Sequence, residues 1–338
     1  MAHKIKLPRR MSGFGLAEIL IAMVIGMFLM AGMTQVFIGS KKAYRVQEAM
    51  ARVQESGRFA MEILGRDIRM GGYQGCGSLL KIAPNVIANN MPGRASFDSS
   101  DGIRGYEYNG AFSPLYGDTG GLADDPANVV ASTDVITVSR ADDCGAYLVD
   151  TMAAGSSTIK INGNNSCSLA ANDLLVISDC ASSDLFRASG VFTAAGETTI
   201  SHAATHNASS ALSKPYGQDA RIYRFARRDY YIRNNAFGEP ALYRRENGGA
   251  AQELVEGVSD LQILYGEDTG VDQYVDRYVD ADDATAIDWE KVGSVRVNVG
   301  LTSVQNILSV DAAAASGEAG GQLQQNMTST ISIRNKLP

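Results

Sequence analysis

The carboxyl group of Glu18 stands at the lip of 22 residues, 19–40, that carry no charged side chain. A carboxylate deep in a bilayer costs on the order of 2.5–3.5 kcal/mol when it has no partner. It calls for a positive charge at the same depth, and hydrolysis of one peptide bond would make one. The small residues Ser12 and Gly13 come before the apolar run, followed by Phe14. Phe14 lies four residues before Glu18, one helical turn away on the same face. Cutting after Gly13 frees the α-amino group of Phe14, a cation suited to the Glu18 of a neighbouring chain. The plainer role for Glu18 is an interfacial side chain that snorkels to the headgroups.

Elsewhere the chemistry-bearing residues are sparse. His202 and His206 have metal-compatible spacing only on a helix, yet they fall in an Ala/Ser/Thr-rich stretch without the HExxH glutamate. Asp272, Asp276, Asp280, Asp282 and Asp283 are candidate calcium ligands. They lack the EF-hand spacing and its glycine, so residues 272–283 read as a solvated acidic loop. The chain has no Gly-x-Ser-x-Gly elbow, Walker loop or dinucleotide fingerprint. No catalysis, cofactor or metal is expected.

The elements that position Glu18 follow from hydropathy and charge. As a helix, residues 19–40 span roughly 33 Å, enough to cross a bilayer core. A secretory signal would place its small residues after the apolar run, and here the order is reversed. Past the span, Val46, Met50, Val53, Gly57, Ala60, Leu64 and Ile68 step by three or four residues. That stripe is one face of a continuing helix, expected to pack on the protein's own sheet, and Gly71-Gly72 ends it.

Charge divides the chain in the same places. Residues 1–13 carry +4 and residues 14–70 carry +2, so a total of −7 leaves −13 for residues 71–338. An acidic head of that size repels phosphate backbones, and a nucleic-acid partner is disfavoured. Basic residues flank the span evenly: Lys4, Lys6, Arg9 and Arg10 before it, and Lys41, Lys42, Arg45 and Arg52 after it. The positive-inside rule therefore leaves orientation open.

Beyond residue 71 the pattern becomes short β runs between turn clusters. Strands are expected near 134–139, 146–150, 158–162, 173–179, 185–192, 220–233, 241–245, 254–265, 294–302 and 328–334. Tyr223, Phe225, Tyr230 and Tyr231 are expected to form a core and cross-strand ladder. Residues 203–213 and 311–325 read as mobile surface loops.

Arg9-Arg10-Met11-Ser12-Gly13 followed by Phe14-Gly15-Leu16-Ala17-Glu18-Ile19-Leu20-Ile21-Ala22-Met23 resembles the leader and N-terminus of type IV prepilins. The resemblance implies that prepilin peptidase cuts between Gly13 and Phe14, that Phe14 is N-methylated, and that Glu18 docks the subunit into the fibre. It also implies a pilin-like α+β fold, with a long N-terminal helix packed on an enlarged antiparallel β-sheet head. The helix-kinking proline of many major pilins is missing, because no proline occurs between Pro8 and Pro84.

The resemblance narrows to PilW-type minor pilins in several segments of the head. They are Arg69-Met70-Gly71-Gly72-Tyr73-Gln74-Gly75-Cys76, the run Asp173-Leu174-Leu175-Val176-Ile177-Ser178-Asp179-Cys180, residues 254–266, and Val295-Arg296-Val297-Asn298-Val299. The implied organisation is a cleaved leader (1–13), a helix (14–70) with its transmembrane part at about 19–40, and a periplasmic then extracellular head (71–338). The head is long for a pilin, which suggests an inserted subdomain at about 100–215. The implied partners are other minor pilins and pilus subunits, prepilin peptidase and, before assembly, inner-membrane lipid. The implied role is to prime pilus assembly in a minor-pilin complex near the tip. A minor pseudopilin of type II secretion shares this layout. A membrane-anchored periplasmic adhesin or enzyme is the alternative of another class.

Cys76, Cys144, Cys167 and Cys180 all lie in the head. An even number confined to a periplasmic region reads as two disulfides with three possible connectivities. Cys167–Cys180 with Cys76–Cys144 is the pairing expected here.

Overall fold

With no proline to break it, the apolar run and the amphipathic stripe form a single element. In the computed structural model this is α1, Leu16–Arg69, a helix of 54 residues that extends about 81 Å at 1.5 Å per residue. The structure describes residues 15–75, 78–91, 96–114, 128–270, 272, 274–304 and 321–336. The first half of α1 is exposed among the described residues: Phe28 is 76% exposed and Met33 likewise 76%. The second half buries Val53, Gly57, Ala60, Leu64, Gly65, Asp67 and Ile68. The expected stripe is therefore covered from Val53 onward, while Met50 stays exposed. On the outer face Glu48–Arg52 and Glu62–Arg66 form i,i+4 ion pairs at 2.8 and 3.5 Å.

Sixteen strands follow among the described residues. They are β1 (Asn85–Val86), β2 (Ile103–Tyr108), β3 (Phe112–Ser113), β4 (Thr133–Tyr147), β5 (Thr158–Asn162), β6 (Leu174–Ser178), β7 (Ser183–Arg187) and β8 (Gly190–Ala194). Then come β9 (Glu197–Ser201), β10 (Arg221–Asn234), β11 (Pro240–Glu246), β12 (Gln252–Glu256), β13 (Val258–Glu267), β14 (Arg277–Val279), β15 (Val292–Thr302) and β16 (Gln324–Ser332).

They make three sheets. The largest runs β1-β7-β6-β10-β4-β2-β3, with β11 and β12 continuing from β10. The long strand β10 pairs with β4 on one side. On the other side its first residues pair with β6 and its last with β11. A second sheet, β14-β13-β15-β16, is antiparallel throughout. The third, β5-β9-β8, is a small antiparallel sheet. Among the described residues the strand pairs of the head are antiparallel except for β1–β7.

The second sheet receives the helix. In β15 the inward residues alternate as the pleat requires: Val295, Val297, Val299 and Leu301 are all buried. They share one core with Val53, Ala60, Leu64 and Ile68 of α1 and with Ile136, Tyr230 and Ile232 of the large sheet. Each fully buried Leu or Ile here stabilises the joint by about 1.5–3 kcal/mol relative to exposure. Gly57 sets the closeness of approach, because a Cβ there would overlap Leu301 Cδ1 and Met327 Sδ. A separate core beneath the small sheet gathers Ile159, Ile161, Ile200, Leu175, Phe186 and Tyr216.

Several strand expectations need revision. The run at 185–192 is two strands in different sheets, β7 and β8. The run at 254–265 is likewise divided, at Gly257, whose φ is +79°. A Cβ at Gly257 would sit 2.7 Å from the Thr302 carbonyl oxygen, so glycine lets the chain leave one sheet and enter the next. The 146–150 run begins as the end of β4, which is 15 residues long. Strands β1, β2, β3, β9 and β14 have no counterpart among the expected runs, being of two or three residues or rich in Gly, Thr or charge. The 203–213 stretch is irregular but tied down. Buried Asn207 donates to the Arg187 and Ala203 carbonyls and accepts from the Arg187 amide. Most of 311–325 lies outside the described residues, and its last two residues open β16.

Candidate functional site

Gly13 and Phe14 lie outside the described residues. Glu18 occupies the first turn of α1, where its Oε2 accepts the Gly15 amide proton at 3.1 Å. This is half of a capping box. The reciprocal half is impossible, since Gly15 at the N-cap has no side chain. A carboxylate here also complements the positive end of the helix dipole. The bond is fully solvated, so the carboxylate can be exchanged to another donor at little cost. Below it, the apolar side chains of 19–40 are exposed and cover no other part of the described residues. Such a continuous apolar surface needs lipid or a second apolar body.

At the far end of α1 a charged joint fastens stalk to head. Asp67, 4% exposed, pairs with Arg140 at 3.1 Å and with Arg228 at 3.2 Å, and accepts the Tyr230 hydroxyl proton. Arg228 also reaches Asp142 at 2.5 Å and Glu246 at 2.8 Å, while Arg140 pairs with Asp142 at 2.8 Å. Burial alone would pull the Arg228 guanidinium down. The charges of Asp67, Asp142 and Glu246 outweigh it and raise its pKa. Burial, then the charge of Asp67, raises that of the Tyr230 phenol. A buried charge is tolerated only when it is paired in this way. Sequence reasoning missed the joint, although two signals were present. Asp67 interrupts the apolar stripe beside Leu64 and Ile68, and Arg227-Arg228-Asp229 places three charges inside a strand of core aromatics.

The expected aromatic cluster is core. Tyr223 meets Tyr73 edge-on at 6.0 Å, Phe225 meets Phe97 at 4.9 Å, and Tyr231 stacks on Tyr243 at 6.2 Å. The cysteine pairing differs from expectation. Cys144 is bonded to Cys167, with Cα atoms 4.8 Å apart, so neither Cys76–Cys144 nor Cys167–Cys180 forms. The cause is local: the end of β4 folds against the following loop, where the Ser166 amide and hydroxyl both donate to the Cys144 carbonyl. Cys180 is also disulfide-bonded, and Cys76 lies outside the described residues.

The two histidines do not converge. His202 is buried against Phe186, with ring centroids 5.4 Å apart. The Nδ1 of His206 shares a hydrogen bond with the Thr205 hydroxyl at 2.9 Å. In the acidic stretch, Asp276 accepts from the Thr269 amide and hydroxyl and from the Gly270 amide, and these bonds lower its pKa. Asp283 pairs with Arg277 at 3.8 Å. These carboxylates shape turns, and no metal-holding cluster occurs among the described residues.

A single apolar helix whose second half packs into a mostly antiparallel β head defines a pilin-like α+β protein. Residues 8–34 match the family model of the prokaryotic N-terminal methylation motif. Residues 229–335 match that of type IV pilus-assembly protein W. The second match runs from β10 through the four-stranded sheet that holds α1. Together the two matches support a PilW-type minor pilin. No curated protein and no solved structure matches the chain. The methylation motif and the apolar helix fit inner-membrane anchoring with a periplasmic head that then enters a pilus.

Proposed function

We propose that this chain is a minor pilin, cut by prepilin peptidase between Gly13 and Phe14 and N-methylated on Phe14, that primes type IV pilus assembly within a minor-pilin complex at the tip. The observation that carries this is Glu18, an exposed carboxylate whose one partner among the described residues is its own Gly15 amide, above a helix surface that no described residue covers. Before assembly inner-membrane lipid covers residues 19–40. In the fibre neighbouring stalks replace it, and Glu18 passes from Gly15 to the amine of an adjacent Phe14. The head makes lateral contacts with other pilins and performs no catalysis. Its charge of −13 gives it no affinity for nucleic acid.

The division into leader (1–13), helix (14–70) and head (71–338) belongs to the same proposal, as does an insertion at about 100–215. Supporting the insertion, the family match begins only at residue 229. The small sheet and its separate core fall in the earlier part of the head.

The test is electrophoretic mobility in cells with and without prepilin peptidase. A faster band that depends on the peptidase, with Phe14 as its N-terminal residue, is expected. A chain of unchanged mobility would reject the assignment.

A further inference from the structure

In the head a cleft of about 740 Å³ opens between the walls formed by residues 89–91 and 172–174. Its volume suits a disaccharide-sized ligand. The walls are pinned to each other by Arg187. Its Nε donates to the Asn89 carbonyl at 3.2 Å, and Nη2 to the Asn90 carbonyl at 2.8 Å. Its Nη1 crosses to the Asn172 carbonyl at 2.8 Å. The cleft is thus preorganised, which lowers the ordering cost of binding.

Its charge opposes that of the head around it. Arg140, Arg228, Arg245 and Arg277 are each ion-paired. Arg187 and Arg224, both lining the cleft, have no carboxylate partner among the described residues, and Arg224 makes no side-chain hydrogen bond there either. Asp173 is the one acidic residue in the lining, and its carboxylate accepts the Ala170 amide at 2.9 Å. In the same lining, the side-chain amides of Asn89, Asn90 and Asn172 are likewise unengaged by the described residues. A primary amide both donates and accepts, as a sugar hydroxyl does. An unpaired guanidinium in a fixed wall suits a carboxylate, which it can hold by two parallel bonds.

We infer that this cleft binds a carboxylated sugar of the uronic acid type, with its carboxylate on Arg224 and its hydroxyls on the amides of Asn89, Asn90 and Asn172. The cleft shares no residue with the Asp67 joint or the Glu18 end, although Arg224 stands opposite Asp142 across the β4–β10 pair.

The backbone supplies clean variants. Asn90 and Asn172 have φ of +53° and +74°, where glycine sits without strain. Asn90→Gly with Asn172→Gly therefore removes two amides and leaves the fold in place. The experiment is calorimetric titration of the full-length protein in detergent micelles with digalacturonate. Galactobiose, the neutral counterpart, and inorganic phosphate form the comparison arms. Saturable binding of digalacturonate at one site per chain is expected, with weaker binding of galactobiose. Arg224→Gln should weaken digalacturonate by about tenfold or more, as loss of a charge-assisted pair does. The double glycine variant should weaken both sugars at an unchanged melting temperature. Absence of saturable digalacturonate binding, or equal affinity in Arg224→Gln, would overturn the inference. So would phosphate binding without sugar binding, which would mark a simple anion site.

Discussion

Asp67 and Arg228 are 161 residues apart in sequence, and both Asp67 oxygens accept from Arg228 Nη1, at 3.3 and 3.2 Å. The pair sits where the last turn of α1 meets the centre of the large sheet, so the charge of the stalk is completed only by the folded head. Removing one partner of a buried pair leaves the other uncompensated, at a cost of about 3–5 kcal/mol. Asp67→Ala leaves Arg228 with Asp142 and Glu246 and Arg140 with Asp142, but removes a carboxylate from each arginine and the acceptor of Tyr230. It should therefore lower stability in denaturant melts by less than that, about 1–3 kcal/mol, the cost of leaving a buried donor unsatisfied. The exposed pair Glu48–Arg52, on the same helix, should cost under about 1 kcal/mol when broken. Comparable losses at both places would show that the joint is not the fastening point.

Asp134 offers a pH signature. It faces Glu107 directly across the β2–β4 pair and accepts the Ile263 amide at 2.6 Å, linking the large sheet to β13. Burial first, and then the hydrogen bond and charge of Glu107, push its pKa up to about 9, against 3.8 for an ordinary aspartate. Between those values the folded protein keeps a proton that the unfolded chain has released. The stability Asp134 contributes is therefore complete below about pH 3.8 and is lost as pH rises through about 9. Buried His202 acts in the opposite sense, because burial lowers its pKa below the usual 6.5. Its contribution is present above that value and fades in acid. Asp134→Asn keeps an acceptor for Ile263 and adds a donor for Glu107. Denaturation midpoints measured across the window should fall less with rising pH in the variant than in the parent. Identical pH profiles would remove Asp134 from the account.

The sequence showed periodicities well and sheet membership poorly. Leu64 and Ile68 were legible because a 3.6-residue period survives any arrangement of the head. Phe225 and Tyr230 were legible as core through their strand context. The division of 254–265 was not, because apolar alternation continues through Gly257 while the chain changes sheets. Asp67 was hidden for a different reason: its value depends on arginines that only the tertiary fold brings to it. At the N-terminal end the reverse holds. The role proposed for Glu18 depends on its distance along one helix from Phe14 rather than on any contact in the head, so the sequence alone is enough to state it.

The disulfide correction carries its own test. Cys144–Cys167 closes a loop with a sequence separation of 23, for which the chain-entropy account gives about 3 kcal/mol. Cys144→Ala with Cys167→Ala should destabilise the head by about that much. Peptide mapping without reductant should recover the Cys144–Cys167 link. With four cysteines in the chain, it should also recover Cys76 joined to Cys180. Recovery of Cys167–Cys180 would overturn the connectivity.

Glu18 separates capping from charge. Glu18→Ala removes both the acceptor for Gly15 and the carboxylate, whereas Glu18→Gln keeps an oxygen that can accept the same amide. If the carboxylate serves only to start the helix, the Gln variant should enter fibres as the parent does. If it meets the cationic amine of a neighbouring Phe14, charge is what counts, and Gln should fail as Ala does. Both variants should still be cut after Gly13, because the Gly13–Phe14 bond and the basic leader are untouched. The expected result is normal mobility shift for both, with both depleted from sheared pili relative to their level in membranes. Normal incorporation of Glu18→Gln would reduce Glu18 to a helix cap and remove the docking role assigned to it.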